Sequence, residues 1–598
     1  MAVRVRVQRD RLDGLADERA WAGLALAAIV SVAALLRLAQ LHRVPPDPFY
    51  DAAVRTMGGS WHAFLVGALE PGARVAIDKP PVDLWLQVGS TKLFGFDRLA
   101  LQLPIVLAGL ASVVLLYDAV RLVAGRAAGL ASALVLALLP IAVLTERSDT
   151  MDGVMAALLV LSAWLIVRAA RGRKPWLLWA AGAAAGLAFD VKLLEAAVAV
   201  PALAVLAVVG WEGGRRHLLG MAAAFVVVAL AWLGAISLVP AGRRPWALGS
   251  AHGSAWDAAL VYNGLNRLRP PRGSIQAGVS ANLTAAGPTR LLSTKNPGLG
   301  TLAGWAAVAA AAFGIPALAL AGVRAVRRDR LAAAGVLALV VWLGCGVVVL
   351  STMRELHARY VEELAPALAA AVGVGVVALA RATMRRRWVA FACAGAAGLA
   401  AAVTAYAVHD PRSARVLFAA AVVGLAVIAA AGVATRRLDW RVLAAACLAA
   451  ALVIPTIHDT DIVTTAANDA GQAGLLPAPK GADLSAYLRA HQAGARDEAA
   501  VDSVYLASGI VVRDDRPLRI LDDENNNPLL TVPALANAVA RGDVHTAVLG
   551  AGCFVPTKRP AGSCALEHWV VAHGTDVTAA AGLPTGPRAI RVYRLGAP

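Results

Sequence analysis

The stretch PPDPFYDAAVRTMGGSWHAFLVGALEPGARVAIDKPPVDLW, Pro45–Trp85, decides how this chain is read. It is a long, weakly hydrophobic insert between one apolar segment and a continuous series of others. It gathers Asp47, Asp51, Arg55, Trp61, His62, Asp78, Lys79, Asp83 and Trp85 in one short region. Ionisable groups beside segments suited to lipid are costly and mark a face with a task.

Working outward, the 598 residues are 59% hydrophobic with mean hydropathy +0.64. Apolar runs of 18 or more residues read as membrane spans. About thirteen are expected, near 21–41, 99–120, 126–145, 152–170, 175–189, 193–210, 217–239, 301–322, 331–350, 361–381, 388–407, 414–434 and 441–457. The first follows Arg4, Arg6, Arg9 and Arg11 without a clear small-residue cleavage site, so it reads as an uncleaved span behind a cytoplasmic amino terminus, 1–20. Short basic connections recur at every second junction: Arg121 and Arg126; Arg168, Arg171, Arg173 and Lys174; Arg215 and Arg216; Arg324, Arg327, Arg328 and Arg330; Arg381 and Arg385–Arg387; Arg436, Arg437 and Arg441. This positive-inside pattern places the alternate connections, 42–98, 146–151, 190–192, 240–300, 351–360 and 408–413, on the outer face of the plasma membrane. The net charge of +17 is spent in these clusters, which excludes a nucleic-acid partner and implies contact with membrane lipid.

The expected fold is an α-helical polytopic membrane domain, 21–457, followed by an extracytoplasmic α/β domain, 458–598. In the tail, helix is expected over 484–491 and 532–540, and strand over 500–507, 518–521, 544–549 and 589–595. The loop 240–300 is rich in Gly, Pro, Asn and Ser (Pro270-Pro271-Arg272-Gly273-Ser274), with its amino-terminal part, 246–268, expected as a short surface helix. Cys345, Cys393 and Cys447 sit in apolar spans. Cys553 and Cys564 are disulfide candidates if the tail lies in an oxidising compartment. No metal-ligand spacing occurs, and a divalent cation is neither required nor excluded.

The outer connections carry the chemistry. Asp47 and Asp51 are candidate bases for an acceptor hydroxyl. Asp78-Lys79-Pro80-Pro81 stiffens the chain as it returns to the bilayer and sets Lys79 at headgroup level. Glu146-Arg147-Ser148-Asp149-Thr150-Met151-Asp152 packs charge into a tight turn, either as a salt-bridge cluster around Arg147 or as a site using Asp149 and Asp152. Lys192 interrupts an apolar run beside Asp190 and Glu195. Arg359-Tyr360 opens a span where an arginine can grip an anion. Fixed cations suit a membrane-borne phosphate leaving group, and carboxylates suit an activated hydroxyl and sugar hydroxyls. That combination points to sugar transfer from a polyprenyl-phosphate donor to a hydroxyl acceptor. A multispan transporter or flippase of lipid-linked sugars would instead place polar residues at mid-membrane in repeated halves. A non-catalytic scaffold with a binding tail would tolerate neutral residues at Asp47, Asp51 and Lys79.

These motifs, over roughly residues 20–380, resemble the GT-C membrane glycosyltransferases, and within them the family joining protein O-mannosyltransferases to the lipid A aminoarabinose transferase, in an actinobacterial-type branch. The resemblance rests on Asp47-Pro48-Phe49-Tyr50-Asp51, Asp78-Lys79-Pro80-Pro81, Ser148-Asp149-Thr150-Met151-Asp152, Lys192 after Gly186-Leu187-Ala188-Phe189, and Arg359-Tyr360 before Leu364-Ala365-Pro366. It implies an inverting single displacement with an acidic residue of the first outer loop as base. The family shows an Asp-Glu pair where this chain has Asp47-Pro48, so the base is Asp47 or Asp51. It further implies that Lys79, Lys192 and Arg359 hold the donor phosphate beside Tyr360. Asp78, Arg147, Asp149 and Asp152 then complete the substrate side.

Overall fold

The computed structural model describes residues 2–269, 285–295, 298–407, 411–435, 439–469, 476, 479–555 and 563–596. The Pro270–Ser274 run, Arg436 and Arg437 and part of 408–413 lie outside the described residues, as do the side chains of Arg4, Arg6, Arg9, Arg11, Arg324, Arg327 and Arg328.

Among the described residues, ten helices are long and apolar enough to cross a membrane, from Arg19–Arg43 to Trp440–Thr465. Many carry bare Leu and Val on one side (Leu219, Val227, Val348 and Val423 are exposed), as lipid-facing helices do. The chain is a multi-pass membrane protein. The other three expected spans are also helical but short or broken. The run 126–145 splits into Arg126–Ala137 and Pro140–Thr145, because Pro140 forces Leu139 into an extended conformation. The run 175–189 is the 17-residue helix Trp176–Lys192. The run 193–210 is Leu194–Ala197 followed by Val200–Gly210, broken from its predecessor at Leu193, whose φ of +53° is a strained value for a leucine.

Local chemistry sets the helix starts. Asp97, Asp329 and Asp439 each cap a span, accepting from Ala100 N at 2.8 Å, Leu331 N at 3.0 Å and Arg441 N at 2.8 Å. Glycine permits close helix crossing: a Cβ at Gly182 would lie 2.0 Å from the Met221 carbonyl oxygen. Three of the basic connections meet at one end of the bundle. Arg171 donates to Leu122 O and pairs with Asp329 at 3.1 Å, tying them together.

The other end is built by the first insert. It is a compact cap rather than an open loop: helices Pro48–Gly59, Trp61–Val66 and Val82–Phe94, with Val75–Ala76 paired in parallel to Trp246–Ala247. The surface helix expected over 246–268 occupies only the later part of that range, with a π-helical stretch Asp257–Leu265, because Trp246–Ala247 pairs as a strand instead.

The tail is a five-stranded sheet in the order Arg519–Asp522, Ala500–Ser503, Thr546–Leu549, Arg591–Arg594, Thr575–Asp576; the first three strands are parallel. Two expectations need correction. Strand stops at Ser503, because the Ser503 hydroxyl caps helix Val504–Asp514 through Leu506 N at 3.2 Å. The last span also runs on to Thr465, beyond the boundary expected at 457. Cys553 and Cys564 are joined in a disulfide.

Helix Val504–Asp514 lies on helix Pro48–Gly59. Arg74 clamps the two regions: it reaches Asp497 at 2.6 Å and the Leu518 carbonyl at 2.8 Å, and Arg519 holds the other Asp497 oxygen at 2.7 Å. Membrane cap and tail therefore enclose space between them.

Candidate active site

A cavity of about 520 Å³ opens where the cap, the bundle end and the tail meet. Asp47, Tyr50, Asp78, Lys79, Lys192, Arg359 and Tyr360, drawn from widely separated parts of the chain, all line it. Asp47 owes its position to helix capping: it accepts from Phe49 N at 3.1 Å, and Pro48 supplies the first helical residue. Lys79 Nζ lies 2.9 Å from Asp78 and donates to the Tyr50 hydroxyl at 3.0 Å. Burial opposes ionisation of Asp78, but Lys79, Arg267 and Asn263 together hold its carboxyl below the usual carboxylate range.

Lys192 sits at the strained end of its helix, 3.1 Å from Asp152 and 3.3 Å from Glu195, with its ammonium 5.0 Å from the Tyr360 ring centre. It does not pair with Asp190, whose Oδ1 is buried without a hydrogen-bond partner. Arg359 is fixed from a different quarter. Asp469, just past the last span, accepts from Arg359 N at 2.7 Å, its carbonyl takes Arg359 Nη1 at 2.6 Å, and its own N donates to Ser148 at 3.0 Å. Asp152 thus acts on the site through Lys192.

Two residues assigned to the substrate side fall elsewhere. Arg147 is fully buried and donates to Leu36 O, Arg37 O and Ala39 O at 2.6, 3.1 and 2.7 Å. It caps the carboxyl end of the first span, where free carbonyls attract a cation, and does not line the cavity. Beside it, Arg37 is bonded to Glu146 in the bundle core. Asp51 and Asp149 meet in a second cavity of about 380 Å³, which they line together with Pro46, Pro48, Arg55, Arg98 and Arg513. Burial and the neighbouring Asp149, which shares a hydrogen bond with it, drive the Asp51 carboxyl well above its ordinary pKa. Segment 46–51 is the partition: Asp47, Phe49 and Tyr50 face one cavity, Pro46, Pro48 and Asp51 the other. Trp61 and His62 are exposed, and Trp85 is a packing residue that donates to Phe64 O at 2.8 Å.

The sequence reading missed several cavity residues. Asn263 and Arg267 come from the π-helical stretch and the turn after it; Asn263 donates to Asp78 O at 2.7 Å, and Arg267 is bonded to Glu355. Their spacing on the expected surface helix was the available signal. Tyr505, Glu524 and Asn525 come from the tail. The polar run Asp522–Asn527 was visible, but nothing local shows where it docks.

A family model described as dolichyl-phosphate-mannose-protein mannosyltransferase matches residues 78–236, a segment holding Lys79, Asp152 and Lys192. YkcB and YycA of Bacillus subtilis (strain 168), both carrying provisional mannosyltransferase names, are 32% and 34% identical over 227 residues, 37% of this chain. The matched segment spans about a third of those relatives' own length (32% and 33%). Among solved structures, ArnT from Cupriavidus metallidurans bound to undecaprenyl phosphate superposes with a TM-score of 0.54 at 18% identity, covering 97% of this chain and 99% of that one. The oligosaccharyltransferase AglB from Archaeoglobus fulgidus, in complex with an inhibitory peptide and a dolichol-phosphate, gives 0.50 at 12% identity over 89% and 70%. The fold of this chain is that of ArnT and AglB.

Proposed function

We propose that this protein is an inverting glycosyltransferase. It moves a sugar from a polyprenyl-phosphate-linked donor to a hydroxyl acceptor on the outer face of the plasma membrane. The observation that carries the reading is one cavity in which Asp47 faces Lys79, Lys192 and Arg359 at the end of the bundle opposite the basic connections. The match to a polyprenol-phosphate-sugar family and the lipid phosphates bound by ArnT and AglB support the same donor class.

The chemistry follows from the arrangement. Lys79, Lys192 and Arg359 hold the donor's phosphate, and their charge stabilises it as the glycosidic C–O bond breaks. Asp47 takes the proton of the acceptor hydroxyl as its oxygen attacks the anomeric carbon from the opposite side. The phosphate leaves on the polyprenol and the anomeric configuration inverts. Asp78, tied to Lys79, and Asp152 and Glu195, tied to Lys192, keep the two ammonium groups in place.

The test is transfer from radiolabelled polyprenyl-phosphate sugars to cell-envelope acceptors in reconstituted membranes. Wild type consumes one donor of the panel, and Asp47→Asn binds that donor without turning it over. Wild type consuming none of the donors, or Asp47→Asn matching wild type, defeats the reading.

A further inference from the structure

We propose that the tail domain, through Glu524 with Asn525 and Tyr505, forms the wall that recognises the transferred sugar, with Glu524 hydrogen-bonded to one of its hydroxyls. This rests on the glycosyltransferase reading and deepens it.

Three observations converge on this wall. The first is topological. In the tail's parallel strands, neighbours lie on both sides of Ala500–Ser503, so the chain switches direction there. Open α/β sheets bind ligands outside the carboxyl ends of strands at such a point. Tyr505 lies just past strand Ala500–Ser503, and Glu524 and Asn525 just past Arg519–Asp522, and all three line the large cavity.

The second is the rigidity of the turn that presents Glu524. Asp523 Oδ1 accepts from Asn525 N and Asn527 N, both at 2.8 Å, and its Oδ2 accepts from Asn527 Nδ2 at 2.9 Å. Asn526 takes a left-handed φ of +57°, which an asparagine tolerates. The Arg74–Asp497–Arg519 clamp seats this region on the membrane cap.

The third is the division of charge around the cavity. Each cation has an anion beside it: Lys79 has Asp78, Lys192 has Asp152 and Glu195, Arg267 has Glu355, and Arg359 has Asp469. Glu524 has no ion-pair partner among the described residues, and its Oε2 is buried without a hydrogen bond. Its neighbours are Asp523, Asp78 and the phenols of Tyr262 and Tyr505. Acidic surroundings repel the phosphate and suit a neutral polyol. The half-buried Glu524 keeps one oxygen paired, Oε1 accepting from Asn525 Nδ2 at 3.4 Å, while the buried and unpartnered Oε2 calls for a donor, which a hydroxyl group supplies.

The experiment compares equilibrium binding of two ligands, bare polyprenyl phosphate and polyprenyl-phosphate sugars differing at single hydroxyls, to wild type, Glu524→Gln, Glu524→Ala and Asn525→Ala. Melting curves confirm that each variant is folded. Glu524→Ala is expected to weaken the preferred sugar donor about tenfold, the scale of one lost hydrogen bond to a buried group. It is also expected to erase discrimination between donors that differ at the recognised hydroxyl, and to leave bare polyprenyl phosphate within about twofold of wild type. Glu524→Gln retains more of the discrimination than Glu524→Ala. Parallel weakening of the bare phosphate, or an unchanged donor preference in both Glu524→Ala and Asn525→Ala, overturns the inference alone. Failure of wild type to bind any sugar donor overturns the parent reading, and this one with it.

Discussion

Asp47 and Asp51 stand one helical turn apart in the same short helix start, yet they occupy opposite situations. Asp47 faces a cavity ringed by Lys79, Lys192 and Arg359. Asp51 faces a separate cavity, also lined by Arg55, Arg98 and Arg513, in which its burial and its acidic neighbour Asp149 outweigh the pull of Arg98 and raise its pKa. Nothing in the local sequence distinguishes them. The distinction comes from elements far along the chain: the strained turn at Leu193, the Asp469 anchor of Arg359, and the Glu146–Asp152 connection that delivers Asp149 to one side and Asp152 to the other. A carboxylate that shares a cavity with fixed cations is placed to serve as a base beside a bound phosphate. A buried carboxyl facing another carboxyl is driven to keep its proton.

The largest effect that tests this contrast is on turnover. Asp47→Asn should lower transfer about 10²- to 10⁴-fold, the range of a lost general base, with donor affinity retained. Asp51→Asn should stay within about threefold of wild type, since a general base is not being removed. Steady-state kinetics on both variants decides between them. If the two results exchange places, the base is Asp51, and the second cavity becomes the acceptor-side reacting centre.

Next in size is the grip on phosphate. Arg359→Lys keeps the charge but loses the planar fork that Asp469 orients. Polyprenyl-phosphate affinity should fall about tenfold, as for a charge-assisted hydrogen bond of about 1.5–3 kcal/mol partly replaced. Arg147→Lys, by contrast, should leave that affinity unchanged and lower the melting temperature, because Arg147 serves the end of the first span. Equal loss of binding in both would return Arg147 to the cavity wall.

The contrast also shows what could be read in advance. The thirteen apolar stretches, the basic connections and the tail's strands were legible because hydrophobic periodicity and charge asymmetry are local properties. The sequence also pointed to Asp47, Asp78, Lys79, Lys192, Arg359 and Tyr360, which the structure brings to one cavity, since charge held at the ends of membrane spans is costly unless it pairs or binds a ligand. Arg147 was misassigned because an arginine near charge looks the same whether it binds ligand or caps a helix; the carbonyls it satisfies belong to residues 36–39, far away in sequence. Tyr505 and Glu524 were missed because their role depends on how the tail docks. That docking rests on Arg74 and Asp497, a pair that no local pattern announces.

The docking itself yields the next prediction. Asp497 is fully buried and serves both Arg74 and Arg519. Arg74→Ala leaves one buried carboxylate oxygen unsatisfied at a cost of about 1–3 kcal/mol, concentrated at the cap–tail interface. Limited proteolysis should show faster cleavage between the membrane domain and the tail, while transfer falls only as far as Glu524 and Tyr505 are displaced. Unchanged proteolysis would mean that the packing of helix Val504–Asp514 on helix Pro48–Gly59 suffices to seat the tail.

The smallest effect on transfer belongs to Asp51→Asn, and its value lies in pH dependence. In the folded protein, burial and then the Asp149 carboxyl raise the Asp51 pKa well above its ordinary value; in the unfolded chain it titrates at about 3.9. From about pH 4 upward the folded state therefore binds more protons than the unfolded state, and stability falls as pH rises toward the raised pKa. The slope is at most about 1.4 kcal/mol per pH unit for one such proton. Asparagine keeps a hydrogen bond to Asp149 without needing that proton. Asp51→Asn should thus match wild type near pH 4 and become the more stable protein between pH 6 and pH 8, by about 1 kcal/mol or more. Thermal melting in detergent across that range reads the difference directly. Parallel curves for the two proteins would mean that Asp51 is ionised in the folded state, and the two carboxylates of the Pro45–Trp85 insert would then stand on equal terms as bases.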